Sequence, residues 1–434
     1  MKSFSPYLHQ LDTLLDIFRE SRNYSQQLRT IDTVLDGQPA HELRRLVAVQ
    51  DIRKAGAFFT GSKLSRLALK SISRSLNERS VILDPACGVG DLLVACAQHL
   101  PKASNLSATL RRWGTQIVGR DLHPEFVYAA KARLLLAALR EGRHFADSTL
   151  PQIEEIFPNL QTRSGLTDVD AISSATHIVI NPPFFLVDSP ENCSWASGKV
   201  NAAALFIESC VLHAKTGARI IAILPDVLRS GSRYQKWREF ITSRSCMLRV
   251  EQYGQFDRWA DVDVFVLEIE IWRNKQIRNK AHWSQLDDSI SERVGNRFEV
   301  CVGPVVDYRD PHSGPRHPFV CARNLPPWKI VQRIVQKRRF KGQVLSPPFV
   351  VVRRTSRLGD KYRAIGTIID HNHLVAVENH LLALLPKDGR IETCTELLRL
   401  LQKPETTQWF DQRISCRHLT VSSMAELPWW SDKK

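Results

Sequence analysis

The residues best suited to chemistry lie in three short polar segments, each of which follows an apolar run. These segments are Asp84-Pro85-Ala86-Cys87-Gly88-Val89-Gly90, Asp121, and Asn181-Pro182-Pro183-Phe184. In the third segment two prolines hold the turn rigid, so the Asn181 side-chain oxygen and the Pro182 carbonyl keep a fixed direction. Two such acceptors can bind both N–H bonds of an aromatic amino group and stabilise the charge that develops when its nitrogen attacks. Phe184 offers a face on which a base can stack.

The other two segments have the features of a nucleotide-type binding site. Gly88 and Gly90 let the backbone approach a ligand closely and open the helix that begins near Leu92. The segment is not a phosphate loop, because it lacks a GK[ST] ending and the third glycine of a dinucleotide fingerprint. A plain strand-to-helix connection is the alternative. Asp121 can accept hydrogen bonds from both hydroxyls of a ribose, or it can cap the helix that begins near Pro124, and the two roles are compatible.

The elements that must position these segments alternate between short apolar runs and helical stretches. The candidate strands are residues 81–83, 116–119, 177–180, 218–224 and 262–272. This alternation predicts an α/β fold with an open, mostly parallel sheet and helices on both faces. Since ligands collect at the carboxyl ends of such strands, the three polar segments should meet at one rim of the sheet.

The chain is predicted to contain three regions. Residues 1–50 are an N-terminal helical segment, because Leu11, Leu14, Leu15 and Phe18 recur at helical spacing. Residues 51–275 carry the strand–helix alternation and form the catalytic domain. Beyond residue 275 the alternation weakens and prolines interrupt any long helix, so residues 276–434 are predicted to be a separate domain.

The positive charge is concentrated in that last region. The 434-residue chain has a formal net charge of +15, and residues 301–434 hold 22 Lys and Arg against 12 Asp and Glu. Such an excess suits a polyanion, although a solvated basic face is the alternative. The candidate phosphate contacts are Lys337, Arg338, Arg339, Lys341, Arg353, Arg354 and Arg357.

Several kinds of site and location are disfavoured. Nine scattered cysteines without a CxxC pair argue against a disulfide framework and a structural zinc site. His371, His373 and His380 lack an acidic or Cys partner at ligand spacing, so no metal is expected. No signal peptide and no run of about 18 apolar residues is present. We therefore expect no membrane partner and a cytoplasmic location.

In their order, these motifs resemble those of the adenine-N6 DNA methyltransferases, in particular the gamma type. In that family the cofactor motifs come first, an Asn/Asp-Pro-Pro-aromatic motif follows, and a target recognition domain is C-terminal. The resemblance covers roughly residues 50–272 and implies a Rossmann-like sheet that binds S-adenosyl-L-methionine. Gly56-Ala57-Phe58-Phe59-Thr60 is similar to the motif that contacts the methionine end of the cofactor. The basic C-terminal region then corresponds to the target recognition, DNA-binding domain.

The resemblance also implies roles for single residues. The cofactor-binding residues would be Phe59, Thr60, Asp84, Ala86, Gly88, Gly90, Asp121, Leu122 and Asp147. The catalytic residues would be Asn181, Pro182, Pro183 and Phe184. Phe256 matches the position of a second aromatic that stacks on the target base, with Tyr253 or Trp259 as alternatives. Asp91 is a departure, because many members have a small or apolar residue there, and it could alter cofactor affinity.

Together these features predict an enzyme that methylates the N6 amino group of adenine in a specific duplex DNA sequence. The target base would be rotated out of the helix to reach the pocket. The resemblance implies a restriction-modification or defence setting, in which a restriction endonuclease or another defence subunit would be the partner. The alternatives are an RNA adenine-N6 or protein-glutamine N5 methyltransferase, and a non-catalytic DNA-binding subunit of a modification complex. The long basic C-terminal region favours DNA, and the intact Asn181–Phe184 segment argues against a non-catalytic role.

Overall fold

The structure is a computed structural model whose described residues fall in two units, Met1–Trp283 and Ser284–Lys434. It describes residues 5–20, 28–36, 59–140, 152–153, 155–256, 262–272, 292–356, 359–413 and 419–430, with residues 39, 42, 45 and 283. Among these residues, no helix is long and apolar enough to cross a membrane.

The first unit is built on a seven-stranded sheet. Its strands and those of a small hairpin are β1 (Ile82–Asp84), β2 (Ile117–Asp121), β3 (Leu160–Thr162), β4 (His177–Ile180), β5 (Leu186–Asp188), β6 (Lys199–Asn201), β7 (Arg219–Pro225), β8 (Ser245–Gln255) and β9 (Asp263–Ile271). The large sheet has the order β3-β2-β1-β4-β7-β9-β8, and β5 pairs with β6. The first five strands in this order run parallel, whereas β9 is antiparallel to both β7 and β8.

Helices cover both faces of this sheet. The helices of the unit are α1 (Ser5–Glu20), α2 (Leu28–Leu35), α3 (Gly61–Leu69), α4 (Asp91–Ala97), α5 (Leu106–Gln116), α6 (Pro124–Arg140), α7 (Val169–Ser174), α8 (Ala202–His213), α9 (Asp226–Ser230) and α10 (Gln235–Ser243), with short 3-10 turns at Ser73–Ser75 and Ser232–Tyr234. Successive strand residues point to opposite faces. Thus Val179 packs in the core beside α1 to α6, while its neighbours Ile178 and Ile180 pack in the core beside α7, α8 and α10. The predicted α/β fold is confirmed.

The N-terminal helices pack on this unit rather than standing apart. Leu11 and Leu15 of α1 are fully buried in the same core as α6. The Tyr128 hydroxyl of α6 donates to Asp12 Oδ1 at 2.5 Å, and the Tyr7 hydroxyl donates to the Val34 carbonyl at 3.3 Å. These apolar and polar contacts fix α1 and α2 against α6.

The strand order determines where a ligand would bind. The chain leaves β1 toward β2 and β3 on one side and then returns to place β4 on the other side of β1. In open α/β sheets a crevice forms at such a reversal, outside the carboxyl ends of the two central strands. The loops that follow β1 and β4 are those containing residues 84–90 and 181–184.

The second unit is a mixed β structure covered by helices. Its strands are β10 (Phe298–Val302), β11 (Arg316–Val320), β12 (Ile330–Val331), β13 (Lys337–Arg339), β14 (Phe349–Arg353), β15 (Gly366–Ile369), β16 (Ala376–Val377) and β17 (Leu381–Pro386). Its helices are α11 (Val294–Arg297), α12 (Ile391–Leu401), α13 (Pro404–Arg413) and α14 (Val421–Ala425). The strands form one sheet in the order β10-β17-β14-β15-β12 and another in the order β13-β11-β16. A core that contains Leu397, Phe410 and Met424 packs against the larger sheet.

Candidate active site

The loop after β1 is shaped by a buried carboxyl group and two glycines. Asp84 is 2% exposed, and its Oδ1 accepts the Ala86 N–H at 3.0 Å. Burial raises the pKa of Asp84, an effect that the Ala86 hydrogen bond only partly offsets. Gly88 and Gly90 have φ angles of 51° and 82°, a left-handed conformation that glycine adopts without strain. A Cβ on Gly90 would also lie 3.0 Å from Ala130 Cβ, so glycine permits the close packing of α4 on α6.

Asp121 connects this loop to the end of β2. Its Oδ2 accepts the Gly88 N–H at 3.0 Å and its Oδ1 accepts the His123 N–H at 2.9 Å. Burial raises the pKa of Asp121, and the backbone N–H groups of His123 and Gly88 oppose that rise. Neither bond goes to an N–H group of α6, which begins at Pro124, so Asp121 does not cap that helix. Leu122, the neighbouring predicted cofactor residue, is 68% exposed.

The diproline turn follows β4 directly and is held by hydrogen bonds that involve Asn201 and Tyr234. The Phe184 carbonyl accepts the Asn201 side-chain N–H at 3.1 Å, and the Asn201 backbone N–H donates to the Tyr234 hydroxyl at 2.9 Å. The Phe184 ring meets the Phe256 ring edge to face, with centroids 6.1 Å apart and planes at 86°. In this arrangement the two rings touch each other rather than forming parallel walls around a slot.

The two loops and the start of α3 line one pocket. Its lining residues are Phe59, Thr60, Asp84, Ala86, Cys87, Gly88, Val89, Asp91, Leu92 and Asn181. The structure therefore brings together Asn181 and five of the predicted cofactor residues, and Asp121 reaches the pocket through its bond to Gly88. Tyr253, the alternative to Phe256, is partly buried against the core of α1 to α6. Asp147, Trp259 and residues 56–58 lie outside the described residues.

Sequence reasoning missed the role of Asp91, which had seemed only a departure from the family pattern. Asp91 Oδ1 forms an ion pair with Arg133 at 2.8 Å, and Asp91 Oδ2 accepts the Gly61 N–H at 3.0 Å. Arg133 is fully buried and also donates to the Val89 carbonyl at 2.6 Å and the Leu35 carbonyl at 3.0 Å. One guanidinium thus joins α2, the loop after β1 and, through Asp91, the start of α3.

The predicted phosphate contacts divide into exposed and internally bonded side chains. Arg338 is 3% exposed, forms an ion pair with Asp307 and donates to the Asp310 carbonyl at 2.8 Å. Arg338 is therefore not available for the predicted phosphate contact. The reason is strand alternation, because Arg338 points away from the face of its two basic neighbours on β13. Arg353 and Arg354 are half-buried and bond to the carbonyls of Leu325 and Asn379. Arg357 lies outside the described residues, and the exposed side chains are Lys337, Arg339 and Lys341.

The histidines of the second unit form no metal centre within the described part of the chain. No group of three or more His, Cys, Asp or Glu residues is arranged there to hold a metal ion. The rings of His371 and His373 lie 5.4 Å apart, and the His373 N–H donates to His371 Nδ1 at 3.0 Å. This contact belongs to a surface turn.

The sheet order, the glycine loop after β1 and the carboxylate after β2 define the class of Rossmann-like, S-adenosylmethionine-dependent methyltransferases. Residues 43–250 match the family described as N-6 DNA Methylase. The resemblance predicted from the motifs is therefore confirmed for this region, which is just under half of the chain. The family implies S-adenosyl-L-methionine as the cofactor, as predicted.

The solved structures that are similar to this chain include components of restriction-modification systems. The type IIL enzyme MmeI in complex with DNA has 12% identity and a TM-score of 0.51, over 87% of this chain and 66% of that one. The type IIG restriction endonuclease BpuSI has 15% identity and a TM-score of 0.43, over 86% and 58%. The EcoKI M protein of a type I enzyme has 17% identity and a TM-score of 0.35, over 49% and 44%. This chain thus spans between 44% and 66% of the length of these proteins. No curated protein matches the chain.

The pocket residues fit S-adenosylmethionine. Each Asp121 oxygen accepts one backbone N–H, and a carboxylate oxygen has a second lone pair with which it can accept a ribose hydroxyl. The absence of a side chain at Gly88 leaves a cradle, because a Cβ there would lie 3.4 Å from the Phe59 ring. Asp84 adds a second carboxyl group to the pocket wall. The site therefore offers acceptors for the hydroxyl and amino groups of the cofactor.

Proposed function

We propose that this chain transfers a methyl group from S-adenosylmethionine to the exocyclic N6 amino group of adenine in duplex DNA. One observation carries the proposal. Asn181, which begins the Asn-Pro-Pro-Phe turn after β4, lines the same pocket as Asp84 and Gly88 of the loop after β1. An amide acceptor for an amino group therefore lies beside a pocket suited to the methyl donor.

Each part of the pocket has a separate task in this proposal. The Asp121 carboxylate would hold the ribose, and the residues 84–90 loop would pass along the cofactor. Phe59, Thr60, Ala86, Gly90, Leu122 and Asp147 stay predictions as further cofactor contacts. When bound, S-adenosylmethionine supplies an electrophilic methyl group on its sulfonium.

Asn181 and Pro182 would prepare the nucleophile. The lone pair of an aromatic amino group is delocalised into its ring, so the nitrogen is a poor nucleophile. The Asn181 Oδ1 and the Pro182 carbonyl would each accept one of its N–H bonds and localise that pair. The nitrogen would then form its bond to the methyl carbon while the carbon–sulfur bond breaks and its electron pair goes to the sulfur, and the nitrogen would afterwards lose one proton to solvent. No general base is required before the transfer, because the proton leaves after the new bond has formed.

The target base would stack on Phe184 after rotating out of the duplex. Phe184 is half-buried and its backbone is held by Asn201. The two rings meet edge to face and Phe256 is only 8% exposed, so Phe256 is less accessible to a base than Phe184. The proposal therefore assigns the main stacking contact to Phe184.

The second unit supplies a basic surface for the DNA backbone. Arg316 of β11 lies directly opposite Arg339 of β13, and Lys337 shares their face of the strand pair. Like charges opposite each other destabilise a strand pair, and within the described residues neither arginine forms an ion pair. Phosphates bound between them would remove this repulsion. This supports the second unit as the target recognition, DNA-binding domain. A restriction endonuclease or another defence subunit stays a prediction as the partner.

The test is methyl transfer from labelled S-adenosylmethionine to duplex DNA, RNA and protein substrates in parallel. We expect label on DNA, and single-molecule sequencing of DNA from expressing cells should show N6-methyladenine at one sequence. Asn181→Ala should abolish transfer while calorimetry shows cofactor binding unchanged. Asn192→Ala, a change of the same type at an exposed position, should have no effect.

Other outcomes would lead to other conclusions. Label on RNA or on protein glutamine would identify one of those substrates instead. Cofactor-independent DNA binding without any transfer would indicate a non-catalytic subunit. If Asn181→Ala were fully active, the assigned role of the diproline turn would be wrong.

A further inference from the structure

Thr60 stands at the N-cap of α3 but does not cap that helix. Threonine at this position normally accepts a backbone N–H from the first turn through its hydroxyl. Here the Thr60 side chain makes no such bond. Its Oγ1 instead accepts the Asn181 side-chain Nδ2–H at 3.0 Å. The hydroxyl is therefore used across the pocket.

The start of α3 is held by a residue from another element. Asp91, the first residue of α4, accepts the Gly61 N–H of the first turn of α3 at 3.0 Å. Its second oxygen is held by the fully buried Arg133. Gly61 is the first residue of α3, whereas a Thr60 cap would bind the second or third N–H, so the Asp91 bond is an additional one. The same bond fixes the start of α3 relative to the loop after β1.

The bond between Thr60 and Asn181 involves the NH2 end of the Asn181 side-chain amide. A side-chain amide has an NH2 end and an oxygen end, and a rotation about its last bond exchanges them. Only the oxygen end can accept an N–H from a target amino group. In the structure Nδ2 faces the Thr60 hydroxyl, so Oδ1 lies on the other side of the amide.

We infer that Thr60 is a positioning residue for catalysis, whose hydroxyl orients the Asn181 amide so that Oδ1 faces the target amino group. The inference rests on the proposed function of Asn181. It also differs from the role that the family resemblance implies for Thr60, which is contact with the cofactor. A cofactor contact should change the affinity for S-adenosylmethionine, whereas an orienting contact should change kcat.

The test compares Thr60→Val, which keeps the branched shape without the hydroxyl, with Thr60→Ser, which keeps the hydroxyl. At saturating cofactor and substrate, Thr60→Val should lower kcat about 10- to 100-fold, since a small misplacement of a reacting group has an effect of this size. Its Kd for S-adenosylmethionine, measured by calorimetry, should change less than about 3-fold. Thr60→Ser should restore kcat to within about 3-fold of the wild type.

A second readout does not require turnover. In protein labelled with ¹⁵N-asparagine, the Asn181 side-chain NH2 signal can be assigned by its loss in Asn181→Ala. This signal should shift in Thr60→Val and return toward its original position in Thr60→Ser. A wild-type protein that methylates no substrate would contradict the proposed function, and the NMR comparison would still test the orientation.

Three results would overturn the inference. The first is an unchanged kcat in Thr60→Val. The second is a loss of activity that is fully explained by weaker cofactor binding. The third is an equal loss in Thr60→Val and Thr60→Ser, which would indicate that the methyl group and its packing matter rather than the hydroxyl.

Discussion

Replacing Asp91 with asparagine should destabilise the protein by about 3 kcal/mol, although the change is nearly isosteric. The reason is its partner, because Arg133 is fully buried and cannot reach water when the charge of Asp91 is removed. Breaking a buried ion pair by removing one partner costs about 3 to 5 kcal/mol. The asparagine oxygen can still accept one bond, and the Val89 and Leu35 carbonyls still bind the guanidinium. The lower end of that range is therefore expected.

A double-mutant cycle isolates the contribution of the pair. Arg133→Met removes the guanidinium and fills part of its volume, but leaves the Asp91 carboxylate without its charged partner. In the double variant neither buried charge remains unmatched. The sum of the unfolding free energies lost in the two single variants should therefore exceed the loss in the double variant by about 2 kcal/mol. Urea titrations followed by circular dichroism give the three values, and raising the salt concentration should change them little because buried pairs are weakly screened.

The control is an exposed pair in the same unit. Arg112 NH1 lies 2.9 Å from Glu78 Oε1, with the two side chains 33% and 68% exposed. Exposed pairs contribute about 0 to 1 kcal/mol, so Glu78→Gln should have a small effect. Strictly additive losses for Asp91→Asn and Arg133→Met would refute the reasoning, because they would mean that the two groups do not interact in solution.

Two further predictions concern pH and salt. Burial, with the nearby charges of Arg219 and Lys215, lowers the pKa of His177 from 6.5 to about 4. Between these two values His177 binds a proton in the unfolded chain but not in the folded protein. The free energy of unfolding therefore includes a contribution that is complete above pH 6.5 and is lost as the pH falls toward 4, by about 3 kcal/mol in all. Urea titrations between pH 7.5 and 4.5 should show a smaller loss for His177→Gln than for the wild type; equal losses would contradict the assignment. Replacing Arg316 and Arg339 together with alanine should weaken DNA binding at every sequence and reduce the slope of log Kd against log salt by about 2. Fluorescence anisotropy measures both effects, and an unchanged slope would place the phosphates elsewhere.

The sequence predicted the strands that are buried on both faces. The runs 81–83, 116–119, 177–180 and 218–224 correspond to β1, β2, β4 and β7, whose residues are nearly all buried. It did not predict β8, where only three residues are buried and half-exposed and exposed positions follow one another. It also missed the short β3, two of whose three residues are exposed. Apolar runs identify central strands, whereas an edge strand owes its pairing to a neighbour that its own composition does not reveal.

The same distinction holds for the candidate site. Local sequence was sufficient for the glycine loop, for Asp121 and for the diproline turn, because strand ends, glycine conformations and proline rigidity act over a few residues. Pairings between distant segments, such as Asp91 with Arg133 and Thr60 with Asn181, have no local pattern. They depend on which helix faces which loop after the sheet has formed.

The basic strand β13 shows most clearly what each level determined. Three consecutive basic residues already implied that alternate side chains point to opposite faces. Only the tertiary structure decided which face is covered, since Asp307 and the Phe319 ring surround Arg338 while its two neighbours remain in solvent. A charge is stable inside a protein only where a partner is supplied, and that partner comes from another strand or loop brought close by folding.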